Sequence, residues 1–103
     1  MALPTLTPEQ RSEALAKATA ARRRRAEVKA ALKNRETTLS AVLELADKEE
    51  AIAKMKVVSL LESLPRVGVN TAAQIMSEVR IAPSRRVRGL GPVQREELVR
   101  RFG

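Results

Sequence analysis

The residues best suited to chemistry in this chain are arginines set beside glycines. Pro83-Ser84-Arg85-Arg86-Val87-Arg88-Gly89-Leu90-Gly91-Pro92 places three guanidinium groups directly before Gly-Leu-Gly and a proline that opens a helix. Arginine carries a planar fork of donors that stays charged and grips a phosphate at two points. Glycine lets a backbone approach a ligand closely, and a helix start offers free N–H groups and a positive dipole end to an anion. A second stretch, Leu64-Pro65-Arg66-Val67-Gly68-Val69-Asn70-Thr71, repeats the idea. Proline stops one helix, Gly68 is the residue expected to take a positive φ, and the following helix presents its amides. Arg66, Val67, Gly68 and Asn70 are therefore candidates for a first phosphate-holding turn. Arg85, Arg86, Arg88, Gly89, Leu90 and Gly91 are candidates for a second.

Covalent and acid–base chemistry find little to work with. The 103 residues include no cysteine and no histidine, which removes the usual zinc ligands, the disulfides and the commonest general base. No cofactor is implied. Phe102 is the sole aromatic residue, so the stacking platforms that single-stranded nucleic acids need are missing. No apolar run approaches the roughly 20 residues of a membrane span. Met1-Ala2-Leu3-Pro4 lacks the charged and apolar regions of a signal peptide, so a cytoplasmic location and no membrane partner are expected.

Charge points to a polyanion. The net charge is +8, and it is unevenly spread. Residues 1–35 carry nine basic and three acidic side chains, residues 36–64 three and six, and residues 65–103 eight and three. Two basic blocks flanking an acidic middle suggest two anion-contacting regions.

The elements that must position these groups read as all-α. Thr7 caps a helix with Pro8 at its first position and Gln10 completing a capping box; nothing breaks it before about Lys33. Leu3 and Leu6 lie in an extended arm before it. On the helical wheel Arg11, Arg22, Arg25, Lys29 and Lys33 share an arc of roughly 80°. Glu9, Glu13 and Glu27 lie opposite, and Ala14, Ala21, Val28 and Leu32 form a thin apolar seam. The run Arg22-Arg23-Arg24-Arg25 repels itself, and a phosphate array would relieve it; alanine on the seam makes a membrane-surface helix a poor alternative. Thr38 is expected to cap a helix to about Ala46, and Asp47 with Glu50 to cap the next, which includes Ala51 and Ile52. Residues 57–64 read as a buried helix ended by Pro65. Asn70 is expected to cap a helix to about Val79, and Pro92 to open the last, ending near Phe102. No strand pattern of period two competes. The expected organisation is an arm and long basic helix in residues 1–36, then a compact domain in 37–103.

With both turns in place the chain resembles the actinobacterial integration host factor, a nucleoid-associated family. The segments that carry the resemblance are Leu6-Thr7-Pro8-Glu9-Gln10-Arg11, Lys54-Met55-Lys56-Val57, Leu64-Pro65-Arg66-Val67-Gly68 and residues 81–91, together with Met1-Ala2-Leu3-Pro4. The resemblance implies a helix-two-turns-helix core, shared with a small-subunit ribosomal protein of S13 type, preceded by a long helix. It implies duplex DNA as partner with little sequence preference, DNA bending or compaction, effects on transcription, and support of phage site-specific recombination through DNA shared with an integrase. It implies a monomer at the nucleoid, DNA contacts from Arg85, Arg86 and Arg88, and contacts from lysine near Lys54, with Lys56 beside it. The sequence departs from relatives at Val69-Asn70, where Lys or Arg is frequent, and in its heavier arginine run, which adds Arg22, Arg25 and Lys29 as candidate contacts. A ribosomal or other structured-RNA binder with the same two turns is the alternative. DNA-repair glycosylases share the module but need an N-terminal catalytic proline on a β-domain, so an enzyme is not expected.

Overall fold

The computed structural model describes residue 5 and residues 7–103; the expected arm with Leu3 and Leu6 lies outside them. Helix α1 (Pro8–Lys33) starts as its sequence dictates. Thr7 Oγ1 accepts the Gln10 amide at 3.1 Å and Gln10 Oε1 accepts the Thr7 amide at 3.0 Å. It ends where Arg35 takes a left-handed φ of 61° and the Glu36 amide bonds back to the Ala31 carbonyl. Only Val28 and Leu32 of α1 are buried, and every residue from Pro8 to Lys17 is exposed. The first half of the helix therefore projects. The radius of gyration, 15.7 Å, exceeds the roughly 13 Å of a compact chain this long.

Among the described residues five further helices follow: α2 (Leu39–Ala46), α3 (Glu50–Ala53), α4 (Val57–Glu62), α5 (Val69–Val79) and α6 (Pro92–Phe102), with a 3-10 turn at Val87–Gly89 before α6. One core joins them all. Leu32 of α1, Leu39 and Leu43 of α2, Ile52 of α3, Leu60 and Leu61 of α4 and Leu98 of α6 are its largest fully buried side chains. Ala72, Ile75 and Met76 bring in α5.

Three helix boundaries differ from expectation. Asp47 does not cap α3. The chain leaves α2 through a tight turn in which the Asp47 and Lys48 amides bond to Glu44 and Leu45, and the Asp47 carboxylate goes to Arg95 of α6 instead, 3.3 Å away. Helix α4 closes two residues early because the Ser63 and Leu64 amides tighten onto Leu60 and Leu61. Helix α5 begins before Asn70, since the extended Gly68 already supplies the carbonyl that accepts the Ala72 amide at 2.9 Å.

Surface ion pairs stitch α6 to its neighbours. Arg101 reaches Glu78 of α5 at 2.7 Å and Glu97 at 2.9 Å, and Arg100 also meets Glu97. The Arg101 guanidinium holds the Glu78 carboxyl below its ordinary value, helped by Gln74; Arg100, then Arg101, do the same to Glu97. Because both carboxyls titrate lower in the folded chain, their contribution is complete above the unfolded value of 4.5 and disappears as pH falls through the lower folded values. Thermal melts between pH 6 and pH 3 are expected to show a falling midpoint. A Glu78→Gln, Glu97→Gln variant should fall less steeply over that interval; an equal slope would remove these pairs from the acid response.

Candidate nucleic-acid interface

The chain after α3 meets the chain before the 3-10 turn as a single antiparallel bridge, Lys56 opposite Arg86. The Val57 amide donates to the Arg85 carbonyl at 3.0 Å and the Val87 amide to the Met55 carbonyl at 2.8 Å. Side chains alternate across such a bridge. Met55, Val57 and Val87 turn inward, 4%, 0% and 6% exposed, while Lys54, Lys56, Arg86 and Arg88 are exposed. The bonds flank the Lys56–Arg86 pair rather than join it, the cross-strand position where side chains lie closest, with Cα atoms about 4.5 Å apart. Like charges directly opposite are destabilising, so this pair is a standing demand for an anion. The alternation Lys-Met-Lys-Val and Arg-Val-Arg is a period-two pattern that the expectation of helices alone passed over.

Helix α1 supplies the other wall. Arg25 and Lys29 line an open groove of about 310 Å³ together with Lys54, Met55, Lys56, Ser59 and Arg86, and no carboxylate lines it. Arg25, Lys29 and Lys56 join no ion pair among the described residues. Lys54 is held by Glu50 of α3 at 2.9 Å. That contact, with smaller effects of Arg88 and Lys17, keeps the Glu50 carboxyl below its ordinary value. Arg22 lines the adjoining cleft between α1 and α3.

The arginine run is not four free charges as its sequence suggests. Arg24 turns to the core side and forms a two-point pair with Glu49, Nε to Oε1 at 2.7 Å and Nη2 to Oε2 at 2.9 Å. Its spacing from Ala21 and Val28 places it on the apolar seam, which is the signal that marks it in the sequence. Arg95, Arg100 and Arg101 are likewise engaged, with Asp47, Glu97 and Glu78.

The two turns differ from expectation in where the strain lies. In the first, Gly68 has φ −91°, and the left-handed residue is Arg66 at φ 66°. A Cβ added at Gly68 would meet nothing within 4 Å. The space over the α5 amides is open, and no side chain caps them. The first turn, Arg66 to Asn70, shares no hydrogen bond or ion pair with the groove among the described residues. In the second turn, Arg85 Nη1 donates to the Gly89 carbonyl at 2.6 Å, and Arg86 Nη1 donates to the Lys54 carbonyl at 2.5 Å. Gly89 makes room for Arg85, whose Cδ would lie 3.0 Å from an added Cβ. The Gly91 amide is occupied by Gln94 Oε1 at 3.0 Å, leaving the amides of the first turn of α6 without a side-chain cap.

A family model described as an S13-like H2TH domain matches residues 32–102. An integration host factor of Mycobacterium tuberculosis is 56% identical over 103 residues, covering 100% of this chain and 98% of its own. The chain belongs to the integration host factor family. An integration host factor of Streptomyces coelicolor is also 56% identical over 103 residues, covering 100% of this chain and 96% of its own. A solved structure described as sIHF bound to an 8 bp palindromic DNA superposes with a TM-score of 0.82 at 53% identity, over 84% of this chain and 98% of that one. The all-α, two-turn fold is thus that of the integration host factor family. The H2TH match starts within the last turn of α1, whereas the likeness to integration host factors runs through the whole helix.

The open space at Gly68 separates fold from ligand approach. Gly68→Ala is expected to change stability by no more than about 1 kcal/mol, since the backbone there suits any residue, yet to weaken duplex binding by crowding the α5 amides. Melting curves and titration of one labelled duplex check both halves; unchanged affinity would place the first turn outside the interface.

Proposed function

We propose that this chain is a nucleoid-associated protein that binds duplex DNA through its phosphate backbone. The observation that carries this reading is the groove of Arg25, Lys29, Lys54, Lys56 and Arg86, free of lining carboxylates and built on a like-charged Lys56–Arg86 pair. Lys56, Arg86, Arg88, Arg25 and Lys29 neutralise phosphates, with Lys54 and Arg22 at the flank. Arg85 joins them on leaving the Gly89 carbonyl. The amides of Gly89, Leu90 and Gly91 are already taken by Arg86, Val87 and Gln94, so it is the uncapped start of α6 just after Gly91 that holds a phosphate, and the turn Arg66-Val67-Gly68 with Asn70 holds another. Residues 37–103 grip the duplex, and the helix within residues 1–36 adds its wall of cations.

Cations and amides read phosphates and carry no sequence information, so sequence preference is low. Neutralising one side of a duplex leaves repulsion on the other side unbalanced, which curves the DNA toward the protein and compacts it. The solved sIHF complex with DNA supports the choice of duplex as partner. The likeness along α1 favours it over structured RNA. The role is architectural rather than enzymatic. The chain acts as a monomer on the nucleoid in the cytoplasm, influences transcription, and supports phage recombination through DNA it shares with an integrase. Among the described residues no helix is long and apolar enough to cross a membrane.

Affinity is expected to fall steeply with salt. Six neutralised phosphates give a slope of log K against log salt near −5, at about −0.9 each. Lys29→Gln with Lys56→Gln, both exposed and in no ion pair among the described residues, should reduce the slope by about 2 and leave helicity unchanged. Affinity that stays flat between about 50 and 200 mM salt would contradict a phosphate-gripping surface.

A further inference from the structure

Helix α1 is anchored at one end only. Its two buried side chains, Val28 and Leu32, lie in the last two turns, and its first ten residues are exposed. Between these regions the helix passes α3, where the Arg24–Glu49 pair joins them. The pair is half-buried, with side chains 38% and 34% exposed. Its two-point geometry fixes direction as well as distance, because a planar fork meets a planar carboxylate in one plane. Glu27 lies 3.4 Å from the same guanidinium. Arg25 follows at the next position, and Lys29 lies one turn beyond it; both stand on the groove wall.

We propose that the Arg24–Glu49 pair is a positioning latch that sets how α1 lies over α3 and so holds Arg25 and Lys29 opposite Lys56 and Arg86. The inference rests on the groove being the phosphate-binding surface. Val28 and Leu32 alone form a hinge about which the helix can roll or lift, since non-directional apolar contact resists neither strongly. A small roll carries both cations off the wall. The Arg24 guanidinium keeps the Glu49 carboxyl below its ordinary value, so the latch stays closed through neutral pH.

The latch reverses the simple electrostatic expectation. Removing a carboxylate from a protein of net charge +8 should strengthen its hold on a polyanion. Removing Glu49 should weaken it. The test measures duplex affinity across a salt series, with a melt for each variant, for the full chain and for Glu49→Gln, Arg24→Lys and Glu50→Gln. Glu49→Gln is expected to lose about tenfold or more in affinity at low salt and to lower the slope by about 2, the share of Arg25 and Lys29. Arg24→Lys keeps the charge but loses the fork, and should lower the slope in the same way. Glu50→Gln makes the same charge change on the same helix but frees Lys54, and should tighten binding. Mere destabilisation would reduce the active fraction without altering the slope of the folded protein. A wild-type slope in both Glu49→Gln and Arg24→Lys, or tightening by Glu49→Gln to match Glu50→Gln, overturns the latch. A salt-independent wild type would instead overturn the phosphate-binding reading beneath it.

Discussion

Two backbone hydrogen bonds, Val57 to Arg85 and Val87 to Met55, hold together the part of this molecule that matters most. They cross two chain segments that are short, alternating and basic on the same side. The inward residues, Met55, Val57 and Val87, belong to the core; the outward ones are lysine and arginine. Burial of the first set forces the second set together against its own repulsion. Local conflicts of this kind are expected where a protein meets a ligand, because elsewhere selection for stability removes them. The ligand that resolves the conflict is one with closely spaced negative charges.

The surrounding helices give that crossing its setting. Helix α4 leaves directly from Val57, α3 arrives at Lys54, and the 3-10 turn begins at Val87. Three rigid elements thus converge on a few residues, and the Arg86 guanidinium ties them further by holding the carbonyl at the end of α3. Helix α1 closes the groove from one side through contacts near its C-terminal end. Arginine also replaces glycine at left-handed positions: Arg35 after α1, Arg66 in the first turn and Arg80 after α5. Each costs roughly 1–2 kcal/mol of backbone strain relative to a right-handed conformation. In exchange a cation sits at each bend, consistent with a chain whose surface is tuned to polyanions.

Much of this was legible in the residues. Thr7, Thr38 and Pro92 announced their helices, because capping is local chemistry written within four positions. The same local rules failed at Asp47 and Asn70. There the outcome depends on other residues: Arg95 draws the Asp47 carboxylate away, and the extended Gly68 starts α5 two residues earlier than an Asn70 cap would. The groove was half legible. Lys54, Lys56, Arg86 and Arg88 stand out in the sequence, yet their pairing across the bridge does not, since the alternation spans only three or four residues and sits between helices. A glycine in a turn predicts the positive φ at Gly68, whereas Arg66 carries it. A run of four arginines does not say which one faces inward; only the alignment of Arg24 with Ala21 and Val28 does.

The most direct measurement is a residue-by-residue map of the complex, from amide chemical-shift changes or a crystal with a short duplex. The largest effects should fall on residues 54–57 and 85–91, with a second set on α1 at Arg25 and Lys29. Nucleic acid resting on the α5–α6 face around Glu78 and Glu97, with the Lys56–Arg86 bridge unperturbed, would contradict the claim that this crossing is the phosphate-binding centre.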